Sequence, residues 1–382
     1  MVIPFHKPYI DDEEYLQIKS VLDSGWLTMG KKTLEFEDKV KNYIGNKYVS
    51  ALNSATSALH LSLICAGIKR GDEVIIPVNT FVATAEAVLY CGGVPVFCDI
   101  DKNTGLIDTE KIELLVTKKT KAIISVDYAG QPCDYDKLEK LAGVYNLKII
   151  NDAAHSFSAK YKSRMIGSIS DYTCFSFYVT KPVCTGEGGV VSVKDPEDYD
   201  RIQRLRLHGI SKDAWKRYDQ KEAWEYDVAE NGYKYNPTDL SMALGIAQMN
   251  KIELMNEKRE GIFKFYQAGL KGNELIETLE QKPERESSHH LFVIKLKLEK
   301  LKISRDRFIE ILSKEGIKCS VHFIPLTHFN FYINQGWKAD QFPQVEDFFR
   351  RIISIPIFPS MTDSMRQFVL EKVIEIAKLN LR

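Results

Sequence analysis

Short apolar runs alternate with stretches of helical periodicity between residues 55 and 193. The apolar runs predict strands at residues 73–77, 94–98, 121–126, 147–151 and 172–178. Apolar positions spaced three and four residues apart predict the intervening helices at residues 56–66, 81–89 and 135–145. Strands that are apolar on both faces and alternate with helices are typical of a largely parallel sheet covered by helices.

The pattern changes after a long periodic stretch that begins at Thr238 and Asp239 and continues towards Phe265. Threonine is a favourable residue for a helix start, and such a helix could connect two domains. Beyond it, strands are predicted at residues 290–296 and 318–323, and helices at residues 304–315 and 362–379. The last of these helices is amphipathic.

Together these elements predict an α/β fold with two domains. The large domain, placed at residues 1–250, has a mostly parallel mixed sheet flanked by helices. The smaller, C-terminal α+β domain is placed at residues 251–382, and the N-terminal segment is a candidate to pack on it. Residues 213–230 are polar and aromatic without periodicity, which predicts a long loop.

Composition narrows the class of protein. Apolar residues make up 44% of the 382, enough for a sizeable core, and the 52 basic residues equal the 52 acidic ones. This balance gives no cationic field for nucleic acid. The first residues lack the features of a signal peptide, and no apolar run approaches the roughly 18 residues of a membrane span. We therefore expect a cytoplasmic protein with reduced cysteines and, since the histidines are scattered, no metal site.

Two residues suggest the chemistry of this protein. Lys181 lies between the predicted strand at residues 172–178 and a glycine-rich turn at residues 186–189. Turns place side chains at an accessible sheet edge, and a lysine amine condenses with an aldehyde, as in enzymes that hold pyridoxal phosphate. Asp152 follows the run at residues 147–151, and a carboxylate pairs with the pyridine nitrogen of that cofactor. The alternative is a surface lysine and an aspartate that caps a helix.

Further motifs accompany this pair in a fixed order. They lie at residues 24–30, 52–60, 77–84, 128–132, 321–326 and 355–361. Together with Asp152-Ala-Ala-His155 and Thr185-Gly-Glu-Gly-Gly189, they resemble the sugar-nucleotide aminotransferases of the DegT/DnrJ group over nearly the whole chain. Members of that group are pyridoxal-phosphate enzymes of the aspartate-aminotransferase fold type.

The resemblance implies a role for each matching residue. Lys181 would be the catalytic residue that binds the cofactor aldehyde and moves the proton. Cofactor contacts are implied for Asp152 at the pyridine nitrogen, His155 at the phenolic oxygen, Phe81 at the ring face, and Thr56, Ser57 and Ser176 at the phosphate. Ordinary core packing at His155 and Phe81, or a helix cap at Thr56, would give the same pattern. Substrate contacts are implied for Trp26, Thr28, Met29, Tyr178, His322 and His328.

One segment resembles a part of the family that reaches the cofactor phosphate of a partner subunit. Where many relatives have Gly-Tyr-Asn-Tyr-Arg, this chain has Lys234 in place of the asparagine and Asn236 in place of the arginine. Either residue could contact the phosphate. If the segment crosses over, each active site needs two chains, so the resemblance implies a homodimer.

The function implied is transfer of an amino group from L-glutamate to a nucleotide-linked keto-sugar, giving an amino-sugar nucleotide. A 4-keto sugar on UDP or dTDP is favoured, and such products feed polysaccharide biosynthesis among other pathways. A C3 aminotransferase acting on a dTDP-3-keto sugar is the nearest alternative. A pyridoxal-phosphate sugar dehydratase and a non-catalytic regulator are further alternatives, although dehydratase relatives carry histidine where this chain has Lys181.

Overall fold

The computed structural model describes residues 2–210 and 226–382. Its strands are β1 (Tyr48–Leu52), β2 (Glu73–Pro77), β3 (Val94–Cys98), β4 (Thr120–Val126), β5 (Lys148–Asp152), β6 (Lys160–Tyr161), β7 (Arg164–Met165), β8 (Tyr172–Ser176), β9 (Gly189–Val193), β10 (Ile276–Thr278), β11 (Arg285–Glu286), β12 (Phe292–Leu296) and β13 (Ile352–Ile355).

The helices of the described residues connect and cover these strands. They are α1 (Asp12–Ser24), α2 (Lys31–Ile44), α3 (Ala55–Cys65), α4 (Val82–Tyr90), α5 (Thr109–Leu115), α6 (Tyr135–Tyr145), α7 (Pro196–Leu205), α8 (Asp239–Asn250), α9 (Ile252–Leu270), α10 (Arg305–Lys314), α11 (Asn330–Ile333), α12 (Pro343–Arg351) and α13 (Asp363–Leu379). None of them is long and apolar enough to cross a membrane.

Seven strands form one mixed sheet in the order β1-β9-β8-β5-β4-β2-β3. The neighbours from β8 to β3 pair in parallel, whereas β9 runs antiparallel to both β8 and β1. Helices flank the sheet, with α3 packed against β8 and β9 and α6 against β5. The predicted α/β class with a mostly parallel mixed sheet is therefore confirmed.

Most buried hydrophobic residues in the described part of the chain belong to one of two clusters. The larger cluster surrounds the seven-stranded sheet, and it also takes up Val345 and Phe348 from α12. The smaller cluster joins α9, α10 and α13 to the three-stranded sheet β10-β12-β13. Ile3 packs in this second cluster, and its backbone pairs with Gly316 and Lys318. The domain boundary at residue 250 stays a prediction.

Two elements differ from the expectation. The stretch that begins at Thr238 is two helices, because the backbone of Lys251 leaves the helical conformation between α8 and α9. Residues 318–323 do not form the predicted strand. The Lys318 N–H bonds to the Ile3 carbonyl, and Ser320 pairs with Ser354 through two backbone hydrogen bonds of 3.0 and 2.8 Å. After this single pair the chain leaves the sheet. Of the predicted loop at residues 213–230, residues 213–225 lie outside the described part.

The start of β9 lies close to the backbone at the start of α3. Gly189 is paired with Leu52, the last residue of β1, and with Ser176, the last residue of β8. A Cβ atom at this position would come within 3.0 Å of the backbone of Ser54 and Ala55 at the start of α3. The glycine therefore allows the loop between β8 and β9 to lie directly against the helix start.

We expect the substitution Gly189→Ala to lower the free energy of unfolding by about 1–3 kcal/mol, because the added methyl group overlaps backbone atoms that cannot move independently. The measurement is the denaturant concentration at the unfolding midpoint. The matched control is Gly143→Ala in α6, where a Cβ atom meets nothing within 4 Å. Equal midpoints for the two variants would contradict the close-packing argument.

Candidate active site

The carboxyl ends of five strands bring the predicted site residues to one edge of the sheet. These strands are β1, β2, β4, β5 and β8, and ligands of open α/β sheets bind at such an edge. A cavity of about 410 Å³ opens there. Eight of the residues predicted from the sequence line it: Thr56, Phe81, Asp152, His155, Ser176, Tyr178, Lys181 and His322.

Another groove, of about 950 Å³, lies between α9 and β10. It is larger and more open, but none of the residues predicted for the site lines it. The chemistry that the sequence predicts is therefore concentrated in the smaller cavity, which combines apolar walls with a few polar groups as ligand sites commonly do.

Lys181 projects from the loop that joins β8 to β9. The loop is closed by backbone hydrogen bonds from Phe177 to Gly188 (2.9 Å) and from Thr185 to Phe177 (2.8 Å), and the Lys181 N–H donates to the Tyr178 carbonyl (2.9 Å). Burial lowers the pKa of the Lys181 amine to about 8, although the charge of Asp152 partly opposes this shift. A lysine with such a pKa has a substantial neutral fraction near physiological pH, which is what attack on an aldehyde requires.

Asp152 is the last residue of β5, a strand paired on both sides. Thr84 Oγ1 donates to Oδ2 at 2.7 Å and the Ala154 N–H donates to Oδ1 at 3.2 Å. Burial raises the pKa of this carboxyl, whereas the two hydrogen bonds and the charge of Lys181 counteract the rise. A protonated ring nitrogen beside Asp152 would favour the ionised carboxylate further.

The first turn of α3 forms another wall of the cavity. Ser54 is the helix N-cap, and its side chain accepts a hydrogen bond from the Ser57 N–H at 3.1 Å. The first amides of a helix have no partner within the helix, so this end suits a phosphate. Thr56 and Ser176 line the cavity, but Ser57 does not: it is 5% exposed, and its hydroxyl donates to Asn53 Oδ1 at 2.6 Å.

Aromatic rings and imidazoles enclose the remaining side. The His155 imidazole stacks on Phe323, with ring centres 5.6 Å apart and planes at 20°. His322 pairs with Ser354 Oγ at 2.9 Å. Burial lowers the pKa of His322 to about 4 and that of His155 well below its usual value, so both rings are neutral. Neutral imidazoles can donate and accept hydrogen bonds without adding charge to the cavity.

Seven predicted residues do not line this cavity: Ser57, Trp26, Thr28, Met29, Lys234, Asn236 and His328. Trp26 Nε1 donates to the Met29 carbonyl at 3.1 Å, and Thr28 pairs with Thr238. Lys234 pairs with Leu207.

Two further residues of these seven also make side-chain contacts away from the cavity. The Asn236 amide donates to the Pro237 carbonyl at 3.1 Å. His328 Nε2 lies 2.8 Å from Glu346 Oε1 near the surface.

Sequence reasoning missed several lining residues: Phe5, Ser54, Thr80, Glu187, His290 and Phe323. Ser54 and Thr80 stand beside predicted positions and could have been found from that adjacency. Phe323 likewise stands beside a predicted residue, His322. Phe5 and His290 come from segments distant in sequence from Lys181, and no local pattern brings them to the cavity.

The residues of the cavity fit pyridoxal phosphate. Lys181 offers an amine, Asp152 a buried carboxylate, and the start of α3 offers amides and the Thr56 hydroxyl. The described residues contain no group of histidines, cysteines or carboxylates arranged to hold a metal ion.

Comparison with known proteins identifies the family. Residues 8–374 match the model of the DegT/DnrJ/EryC1/StrS aminotransferase family. The chain is 45% identical over 379 residues to the uncharacterized protein MJ1066 of Methanocaldococcus jannaschii, covering 99% of this chain and 98% of that protein. It is 40% identical over 378 residues to the spore coat polysaccharide biosynthesis protein SpsC of Bacillus subtilis, covering 98% of this chain and 97% of that protein.

Solved structures give the same result. Spr1654 of Streptococcus pneumoniae in its PMP-form superposes with a TM-score of 0.92 at 33% identity, over 99% of each chain. Helicobacter pylori PseC, an aminotransferase involved in the biosynthesis of pseudoaminic acid, has a TM-score of 0.92 at 30% identity, over 99% of this chain and 100% of PseC. This chain therefore belongs to the DegT/DnrJ/EryC1/StrS aminotransferase family and is a pyridoxal-phosphate-dependent sugar aminotransferase.

Proposed function

We propose that the protein transfers the amino group of L-glutamate to the keto carbon of a nucleotide-linked sugar, with C4 of a UDP- or dTDP-linked 4-keto sugar as the acceptor. The observation that carries the proposal is the partly neutral Lys181 amine in one cavity with the Asp152 carboxylate. The roles of SpsC in spore coat polysaccharide biosynthesis and of PseC in pseudoaminic acid biosynthesis support a sugar that is destined for a glycan.

When bound, pyridoxal phosphate supplies an electrophilic aldehyde and an electron-accepting ring, and it carries the amino group between the two substrates. Lys181 would hold the cofactor through its amine and would move the proton at the substrate carbon. Asp152 keeps the ring nitrogen protonated, since an ionised carboxylate favours a neighbouring cation. Thr56 and Ser176 bind the phosphate with the first amides of α3. Phe81 covers the ring, and His155 donates to the phenolic oxygen.

In this proposal, the acceptor sugar lies at the rim of the cavity. Tyr178 and His322 line the cavity beside Lys181 and offer polar groups to the sugar. Trp26, Thr28, Met29 and His328 would contact the nucleotide sugar only if it extended beyond this cavity.

Two chains complete each site in this proposal. Among the described residues that line the cavity, Lys181 is the one lysine or arginine, and its amine is needed for the cofactor aldehyde. The histidines that line the cavity are neutral. A phosphate dianion in such a cavity is stabilised by further polar or cationic groups. We assign this contact to Lys234 or Asn236 of a second copy, because neither residue lines the cavity of its own chain. In this proposal, the protein is therefore a homodimer, and we expect it in the cytoplasm.

We expect the purified holoenzyme to show a visible absorbance band that moves to the near ultraviolet on addition of L-glutamate, with release of 2-oxoglutarate. After glutamate is removed, a UDP-linked 4-keto sugar should restore the visible band and yield an amino sugar. A dTDP-linked 3-keto sugar is the comparison acceptor. Restoration by the 3-keto sugar alone would replace the C4 assignment, and a band unmoved by glutamate would contradict the proposed donor.

We expect Lys181→Ala to abolish the visible band and to lower the transamination rate by at least about 10²-fold, because both the covalent link to the cofactor and the proton transfer are lost. The rate is followed by 2-oxoglutarate release. The control is Lys194→Ala, which removes an exposed lysine just after β9 and should leave the rate unchanged. A Lys181→Ala protein that turns over at the wild-type rate is incompatible with this role.

We expect mixed dimers to recover activity that neither parent has. One parent carries Lys181→Ala, and the other carries Lys234→Ala with Asn236→Ala. After unfolding and refolding as an equal mixture, about a quarter of the sites should be intact, because half of the dimers are mixed and each of these has one complete site. The readout is the glutamate-dependent loss of the visible band. If mixing restores nothing while each parent still forms dimers, the shared site is refuted.

A further inference from the structure

The chain just before β12 interlocks with the turn after β4. The Ser288 N–H donates to the Gly130 carbonyl at 3.1 Å, and the Leu291 N–H donates to the Ala129 carbonyl at 3.3 Å. Ser288 Oγ donates to the His155 carbonyl at 2.5 Å. A segment that leads into the second hydrophobic cluster is thereby tied to the loop that carries His155.

This approach depends on a glycine. Gly130 has a φ of +99°, a region that L residues with side chains rarely adopt. A Cβ atom there would come within 3.0 Å of Ser288 Oγ and lie 3.2 Å from the His155 carbonyl oxygen. The close fit of the two segments is therefore built into the backbone and is not an incidental surface contact.

The interlock places the ring of His290 against that of His155. Their centres are 4.6 Å apart and their planes are tilted by 48°. The His155 ring also stacks on Phe323, and its Nδ1 accepts a hydrogen bond from the Ala129 N–H at 3.3 Å. Because Nδ1 is the acceptor, the neutral ring carries its proton on Nε2. His290 is 5% exposed and lines the cavity that contains Lys181.

The groups around these two rings keep both neutral. Burial lowers the pKa of His290 well below its usual value, and His155, Lys181, Arg259 and His322 lower it further. Burial, Lys181 and His322 act in the same direction on the pKa of His155. Burial and neighbouring basic groups dominate both pKa shifts, although the carboxylates of Asp152 and Glu187 line the same cavity.

We propose that His290 is a positioning residue of the active site, whose ring holds the His155 imidazole in the orientation that leaves its Nε2–H available to the phenolic oxygen of the cofactor. The inference rests on the proposed role of His155. It makes the segment before β12, supplied by the C-terminal third of the chain, part of the cofactor site. Because the His290 ring acts by contact with the His155 ring, another aromatic ring of similar size should hold His155 equally well.

The neighbouring histidine provides a matched control. His289 is also largely buried, and its ring packs on Phe263 with centres 4.4 Å apart, but it does not line the cavity that contains Lys181. His289→Ala therefore removes the same side chain from the adjacent position. His290→Phe keeps a ring, and Ser288→Ala removes only the hydrogen bond to the His155 carbonyl.

The measurement is the pH titration of the visible band of each holoenzyme, together with its bound cofactor content and thermal unfolding. A hydrogen bond donated to an ionised oxygen keeps that oxygen ionised, so losing it moves the titration midpoint upward. We expect a shift of about one pH unit for His290→Ala, equivalent to a tenfold change in the equilibrium. Ser288→Ala should shift the midpoint in the same direction by less, and His290→Phe and His289→Ala should keep the wild-type midpoint.

Three results would overturn the inference. They are an unmoved midpoint in His290→Ala, an equal shift in His289→Ala, and a shift in His290→Phe as large as that in His290→Ala. If His290→Ala does not fold, an unmoved midpoint in Ser288→Ala has the same force. Failure of the proposed function is distinguishable, because the wild-type protein would then lack the visible band or its response to glutamate.

Discussion

The site depends on two opposite charges held in one poorly solvated cavity. Burial alone would drive both groups neutral, since it raises the pKa of Asp152 and lowers that of Lys181 to about 8. Each charge opposes the shift of the other, and hydrogen bonds from Thr84 and Ala154 favour the carboxylate. The outcome suits transamination: the lysine is partly neutral and can attack, while the aspartate can stabilise a cation on the ring.

The antiparallel strand β9 connects the loop that carries Lys181 with the start of α3. Lys181 leaves β8 on a loop that must return to the sheet, and the first residue of β9 rests on the backbone at the start of α3. The loop that carries Lys181 and the helix amides that suit a phosphate are thus held at a defined separation by β8, β9 and the loop between them. This explains why a glycine is required at residue 189 in terms of space and not of flexibility.

The other wall of the cavity comes from distant parts of the chain. Phe5, His290, His322 and Phe323 all lie outside the seven-stranded sheet, and they enclose the side of the cavity that holds neutral imidazoles. The sequence predicted the strand that begins at His290, but it did not predict the contact of the His290 ring with His155. It also predicted a strand at residues 318–323, whereas only Ser320 of this segment pairs with β13, and the chain then carries His322 and Phe323 to the cavity.

The sequence by itself predicted the mostly parallel sheet and singled out Lys181 and Asp152. Apolar runs of strand length and the turn after residue 181 are local features, and Asp152 and Lys181 each follow such a run. Only the tertiary structure decided which other side chains meet them. The Ser57 hydroxyl donates to Asn53 and does not line the cavity, and the His290 ring packs against His155. The contact between His290 and His155 joins residues distant in sequence, and it depends on how the segments around the two hydrophobic clusters fit together, which local periodicity does not encode.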